Sequence, residues 1–123
     1  MLYDFSEMPS LKRVYYKGSL NDWAQIKFAK ANNNPMSVAT NFHINNGKYD
    51  EVTNIELVDG LEVVEAYSFY GFENVTSIYI PDSVTYIGYG AFGGCNNLEE
   101  LTIPFIIKRN INNQSRWFIR RFA

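Results

Sequence analysis

Few side chains in this chain of 123 residues are of the kinds that carry chemistry. There is one histidine, His43, and one cysteine, Cys95. A zinc site or a Ser-His-Asp triad needs partners that a lone histidine lacks in the sequence around it. Its neighbours Phe42 and Ile44 alternate with it as in a strand, so His43 reads as solvent-facing or half-buried. Cys95 stands among apolar residues, whereas a thiolate nucleophile needs a polar, activated setting; it reads as a core residue. A single cysteine also excludes an internal disulfide. Glycines 88, 90, 93 and 94 have the look of a phosphate loop, but no GxxxxGK[ST] pattern follows them, and tight turns account for them. Asn74-Val75-Thr76 and Asn113-Gln114-Ser115 fit the glycosylation sequon, although Val75 opens a strand. The carboxylate pairs Asp50-Glu51 and Glu99-Glu100 are adjacent in sequence, so on a strand they point to opposite faces and read as solvated edges. The expectation is a protein without catalytic residues, cofactor or metal, and not an enzyme.

Charge is distributed unevenly. The formal net charge is −2. Residues 1–107 hold six cations against all thirteen carboxylates, a balance of −7, and residues 108–123 hold five cations and no carboxylate. Hydrophobic residues make up 46% of the chain and aromatics 16%, which places it among folded rather than disordered sequences. No stretch approaches the length of a membrane span. The first residues lack a charged region followed by an apolar run, so no signal peptide is read there.

What positions the side chains is a repeat. Residues 52–74 align on residues 75–97 with seven identities: Val52/Val75, Thr53/Thr76, Ile55/Ile78, Asp59/Asp82, Phe69/Phe92, Gly71/Gly94 and Asn74/Asn97. Apolar character also matches at Leu57/Ile80, Leu61/Val84, Val64/Ile87 and Phe72/Cys95. A third copy opens with Leu98, Leu101, Ile103, Pro104 and Ile107 and then stops. A fixed period in the twenties predicts a coil in which each repeat is one turn. The spacing Ile55-x-Leu57 or Ile78-x-Ile80 predicts a strand with one buried face, ended at Pro81 and at Pro104. Val84-x-x-Ile87 and Ala91-Phe92 then return the chain with their apolar groups inward.

The run Ile78-x-Ile80-Pro81-x-x-Val84-x-x-Ile87-Gly88-x-x-Ala91-Phe92-x-x-Cys95-x-x-Leu98 closely resembles the BspA-like leucine-rich repeat. The copy at residues 52–74 departs from that pattern at Val58, Glu65, Ser68 and Phe72 but keeps the apolar register. The resemblance implies an α/β fold: a short right-handed solenoid with a small parallel sheet, one helical insert and a C-terminal capping segment. It also implies the surroundings of the family, which is commonly found in surface or secreted repeat proteins of gut bacteria. A longer member would place this region at the cell surface or outside the cell, and a short offshoot would be cytoplasmic.

In chain order, one domain is expected over residues 1–123. Residues 11–16 repeat the spacing of the third copy's opening and read as the strand of an earlier, partial repeat. Residues 19–31 read as a helix capped by Ser19 or Asn21, with Asp22 in its first turn and an apolar stripe from Leu20 to Phe28. The Asn32-Asn33-Asn34-Pro35 run breaks it. Phe42-x-Ile44 is a short strand and Asn45-Asn46-Gly47 a hairpin turn. This region is similar to an insert found between repeats of the same family. Full repeats occupy residues 52–74 and 75–97, a partial one residues 98–107, and a basic tail residues 108–123. The tail predicts a short amphipathic helix after Asn112 or Asn113 that covers the open end, with Trp117, Phe118 and Phe122 facing in. Its alternative role is a basic-aromatic patch of Lys108, Arg109, Arg116, Arg120 and Arg121 for nucleic acid, or an inhibitor segment.

With Ile55, Leu57, Ile78, Ile80, Leu101 and Ile103 inward, the intervening residues face out and stack across turns. One row is Asn54, Ser77 and Glu100; the next is Glu56, Tyr79 and Thr102; the strand at residues 11–16 is expected to add Arg13 and Tyr15. Such rows on a rigid sheet can present a binding surface, with Tyr15 and Tyr79 as anchors. The function expected is non-catalytic protein–protein recognition of the adhesion type. Open coil ends also leave room for association between copies. Two full turns are too few for a stable coil, so the flanking segments must complete the core.

Overall fold

The computed structural model describes residues 3–45 and 47–103 with their side chains, and the backbone of residues 106–111 and 114–119. Strand β1 (Arg13–Tyr16) precedes the short helix α1 (Leu20–Ala24), and β2 (Asn41–Asn45) and β3 (Tyr49–Glu51) follow. The repeats supply β4 (Asn54–Glu56), β5 (Val63–Val64), β6 (Ser77–Tyr79), β7 (Tyr86–Ile87) and β8 (Glu100–Thr102). The tail supplies β9 (Ile106–Ile111) and β10 (Gln114–Ile119).

The sequence period becomes the strand register. In the parallel sheet β4-β6-β8, Asn54 pairs with Ser77 and Ser77 with Glu100, so every rung joins residues 23 apart. The same offset recurs in the second half of each repeat, where Val63 pairs with Tyr86 and Val64 with Ile87. Each turn therefore contributes a strand to two sheets, and the return segment is itself partly extended. Ile55, Leu57, Ile78 and Ile80 project from one sheet, and Leu61, Val64, Val84 and Ile87 belong to the other half of the turns; all eight are buried. Full burial of such side chains contributes about 1.5–3 kcal/mol each, and Phe69 and Phe72, both buried, add aromatic area between the halves. Phe69 also stacks on Phe92 of the next turn, with centroids 5.7 Å apart.

The insert closes the first turn from its open side. The Ser19 hydroxyl accepts the Asp22 N–H at 3.0 Å while the Asp22 carboxylate accepts the Ser19 N–H at 3.2 Å, a reciprocal cap for α1. The helix then stops after five residues: the N–H groups of Gln25 and Ile26 close back on the carbonyls of Asp22 and Trp23, and beyond them the chain bonds to the repeat. The Phe28 N–H donates to the Ala66 carbonyl, and the Ala24 carbonyl accepts the Glu65 N–H at 2.8 Å. In the next turn the Val64 carbonyl accepts the Gly88 N–H at 2.8 Å, so Ala24 fills the place of a preceding repeat. The helix expected over residues 19–31 is thus corrected to Leu20–Ala24, with 3-10 turns at Ala31–Asn33 and Pro35–Ser37. Asn34 is fully buried between these elements, its amide donating to the carbonyls of Tyr67 and Ser68 and its oxygen accepting the Met36 N–H. The Trp23 indole N–H also donates to the Ser68 carbonyl, and its ring lies 4.8 Å from that of Phe42.

Three further expectations are corrected. Strand β1 does not extend the β4-β6-β8 rows; it pairs in parallel with β2, Arg13 beside Asn41 and Tyr15 beside His43. The cause is the β2–β3 hairpin, whose pairing of Asn45 with Tyr49 sets two strands between β1 and the repeats in sequence and makes a separate sheet β1-β2-β3. Leu101 occupies an inward position of the repeat but is 49% exposed, because no further strand stacks beyond β8 among the described residues. The tail is extended rather than helical. β10 pairs antiparallel with β9 and with β7, Trp117 beside Ile87 and Phe118 beside Tyr86. Ile, Trp and Phe fit a pleated ladder better than a helix, and the β7 edge supplies the partners. Phe122, Arg120, Arg121 and Pro104 lie outside the described residues, as do the side chains of Trp117 and Phe118.

Candidate functional site

The outward side of β4-β6-β8 brings six of the expected site residues together. Asn54, Ser77 and Glu100 form one row, and Glu56, Tyr79 and Thr102 the other. These six residues, with Ile78 behind them, line a shallow groove of about 320 Å³. Alternation on each short strand is the reason: the middle residue of β4 and of β6 is buried, and its two neighbours must face away. The Ser77 hydroxyl donates to the Asn54 side-chain oxygen across the strands, tying the first row. Tyr79 is 46% exposed at the centre of the face. Glu56 stands directly beside it in register and Glu100 diagonally on the other flank. Among the described residues no cation lines this groove.

Arg13 and Tyr15 lie elsewhere. The Tyr15 ring stacks on His43 at 4.7 Å and meets Tyr49 edge-on at 5.4 Å. His43 is partly buried, and neither ring nitrogen has a hydrogen-bond partner among the described residues. The hairpin signal at Asn45-Asn46-Gly47 was the clue to this cluster, because its register sets His43 opposite Glu51 and brings Tyr49 back toward β1. Glu51 is not merely a solvated edge: its carboxylate accepts from the side-chain amides of Asn41 at 2.8 Å and Asn74 at 2.9 Å. A depression that sequence reasoning missed lies between α1 and β4, lined by Leu20, Asn21, Ile44, Glu56 and Val58. Asn21 spans it, exchanging two hydrogen bonds with the Val58 backbone.

Cys95 has no activating neighbour among the described residues. The Cys95 thiol donates to the Phe69 carbonyl at 3.4 Å, and burial pushes its pKa up to about 11, opposed in part by a backbone hydrogen bond at Phe72. A thiol so placed is a poor nucleophile at neutral pH. Among the described residues no three His, Cys, Asp or Glu side chains come together to hold a metal ion, and no helix is long and apolar enough to cross a membrane. Lys108, Arg109 and Arg116 are placed only by backbone register, Arg116 opposite Arg109 and Lys108 opposite Trp117.

A rung offset equal to the sequence period, in two sheets at once, is what a repeat architecture with one repeat per turn produces. Residues 45–115, more than half of the chain, match the family model described as "BspA type Leucine rich repeat region (6 copies)". The chain belongs to the BspA-type leucine-rich repeat family. No curated protein matches it, and neither does any solved structure. BspA-type repeats make small parallel sheets with little helix, and leucine-rich repeats in general serve protein–protein interaction and are typically not enzymes. The β4-β6-β8 sheet and the one short α-helix among the described residues agree with that description.

Proposed function

We propose that this protein is a single-domain, right-handed BspA-type solenoid that recognises a protein ligand, in the manner of an adhesion module, through the outward face of β4-β6-β8. One observation carries the reading: two rows of outward side chains in strict register line a single groove with Tyr79 at its centre. Strand backbones hold these side chains at fixed spacing, so little ordering cost is left for binding. An exposed tyrosine between polar groups supplies apolar area and a hydrogen-bonding tip, the pattern of an interface anchor. Family membership supports an interaction role, and the thiol held protonated at Cys95 argues against catalysis there.

The test is a binding screen of the full chain against an array of immobilised matrix and cell-surface proteins, repeated with Tyr79→Ala. The variant should melt like the parent and lose at least about tenfold in affinity for whatever the parent binds. Equal binding by a folded Tyr79→Ala chain would remove this face from the reading.

A second reading rests on the tail. The backbone register of β9 and β10 pairs Arg116 with Arg109 in a segment that carries five cations and no carboxylate. A nucleic-acid role through Lys108, Arg109, Arg116, Arg120 and Arg121 would show as a steeply salt-dependent, sequence-independent retention of DNA or RNA, lost when residues 108–123 are removed.

A further inference from the structure

We infer that copies of this chain stack head to tail, the outer edge of β8 in one copy taking β1 of the next as its parallel neighbour. This surface lies at the two ends of the coil and adjoins the groove face at Glu100 and Thr102.

Among the described residues, β8 and β1 each have a strand on one side only. The exposed Leu101 marks the first edge. Its equivalents in the two preceding turns, Ile55 and Ile78, are 0% and 2% exposed because another turn or the insert covers them. The hairpin β9–β10 does not provide that cover, since it joins β7 in the other sheet. At the opposite end, Arg13 and Tyr15 are exposed and Val14 and Tyr16 only partly buried, while the N-terminal 3-10 turn Phe5–Glu7 lies against the turns at Ala31–Asn33 and Pro35–Ser37 rather than along β1.

The two edge strands meet their inner neighbours with the same hydrogen-bond pattern. Where β6 meets β8, the Thr76 carbonyl accepts two N–H groups, from Glu99 at 2.8 Å and Glu100 at 3.1 Å. Where β1 meets β2, the Lys12 carbonyl accepts two in the same way, from Thr40 at 3.0 Å and Asn41 at 3.1 Å. Strand β1 therefore holds a repeat position in its backbone, with Lys12 at the place of Thr76 and Arg13 at that of Ser77. Continuing the register past β8 sets Lys12 and Arg13 of a second copy beside Glu99 and Glu100. Val14 then covers Leu101, and Tyr15 falls beside Thr102. The Glu99 carbonyl takes the part that Thr76 plays one turn earlier.

Charge selects this occupant. The β8 edge offers Glu99 and Glu100, both exposed and with no ion pair among the described residues, and the β1 edge offers Lys12 and Arg13, also exposed. Pairing β8 with another β8 would bring four carboxylates together, and pairing β1 with β1 four cations. Only the head-to-tail junction is complementary, and it repeats without closing on itself unless rotation brings it round to a ring. It also carries Arg13 and Tyr15 onto the rows of Asn54-Ser77-Glu100 and Glu56-Tyr79-Thr102, as a contribution from the neighbouring molecule.

Sedimentation velocity of the full chain over a concentration and salt series tests this, with two charge-reversed chains: Lys12→Glu with Arg13→Glu, and Glu99→Lys with Glu100→Lys. All four positions are exposed, so both chains should keep the parent's melting temperature. The parent should associate in a concentration-dependent way. Each variant alone should be weakened by at least about tenfold, and an equimolar mixture should restore association. A parent that stays monomeric at its solubility limit would overturn the inference, as would a variant that associates alone as the parent does, or a mixture that does not recover.

Discussion

Ile78 and Leu101 are partners in register on adjacent parallel strands, yet one is 2% exposed and the other 49%. They hold the same place in the repeat, so the difference belongs to what stacks beyond each strand. Ile78→Ala should cost about 2–5 kcal/mol, the usual range for emptying a filled core site, and Leu101→Ala under about 1 kcal/mol. Paired urea titrations of the two variants check this; equal losses would mean that Leu101 is covered in solution.

Gly71 sits at φ +81° where an added Cβ would come within 2.2 Å of the Met36 carbonyl oxygen. Gly60 has φ +105° and nothing within 4 Å of that point. Both glycines are conformationally required, but only the first is also hemmed in by the insert. Gly71→Ala should therefore destabilise more than Gly60→Ala, by about 1–3 kcal/mol. Thermal melts of the two would separate strain alone from strain with a clash.

Asn34 donates its amide to two backbone carbonyls from a site with no exposure. Asn34→Asp would set a carboxylate against those acceptors, and the loss should reach about 3 kcal/mol or more at neutral pH. The damage should lessen on acidification, where the protonated acid can donate once. Melting temperatures of the variant and parent between mildly acidic and neutral pH check the direction.

Cys95, with its thiol raised to about 11 from an ordinary 9.0, should react with alkylating reagents about a hundredfold more slowly than an unfolded thiol between pH 7 and 8. Because the folded state disfavours the thiolate, this group's contribution to stability is intact below pH 9 and is lost as pH rises toward 11. Cys95→Ala should flatten the alkaline limb of the stability profile. Rapid labelling of the native chain would show that the thiol is accessible after all.

Part of this architecture was legible from residue spacing. The offset between Val52 and Val75 is the offset between strand partners Ile55 and Ile78, because one repeat makes one turn. The outward rows followed from alternation alone. The insert was harder to read, since Ser19 signals where α1 starts but nothing local announces that Ala24 and Phe28 will bond to the repeat backbone rather than to the next helical turn. The tail misled for a similar reason. Arg116, Trp117, Phe118 and Ile119 suit an amphipathic helix in isolation, and they are extended because β7 offers a free ladder.

The amino-acid order by itself determined the period, the buried face of each repeat strand and the six side chains along the groove, all consequences of local alternation and recurrence. Only the tertiary structure decided that Arg13 and Tyr15 stand beside Asn41 and His43, that Leu101 is left half-bare, and that Lys12 and Thr76 play the same part in two different sheets. Those outcomes depend on which strand finds which edge. That is a competition among distant segments for the same backbone donors and acceptors, and no window of neighbouring residues contains it.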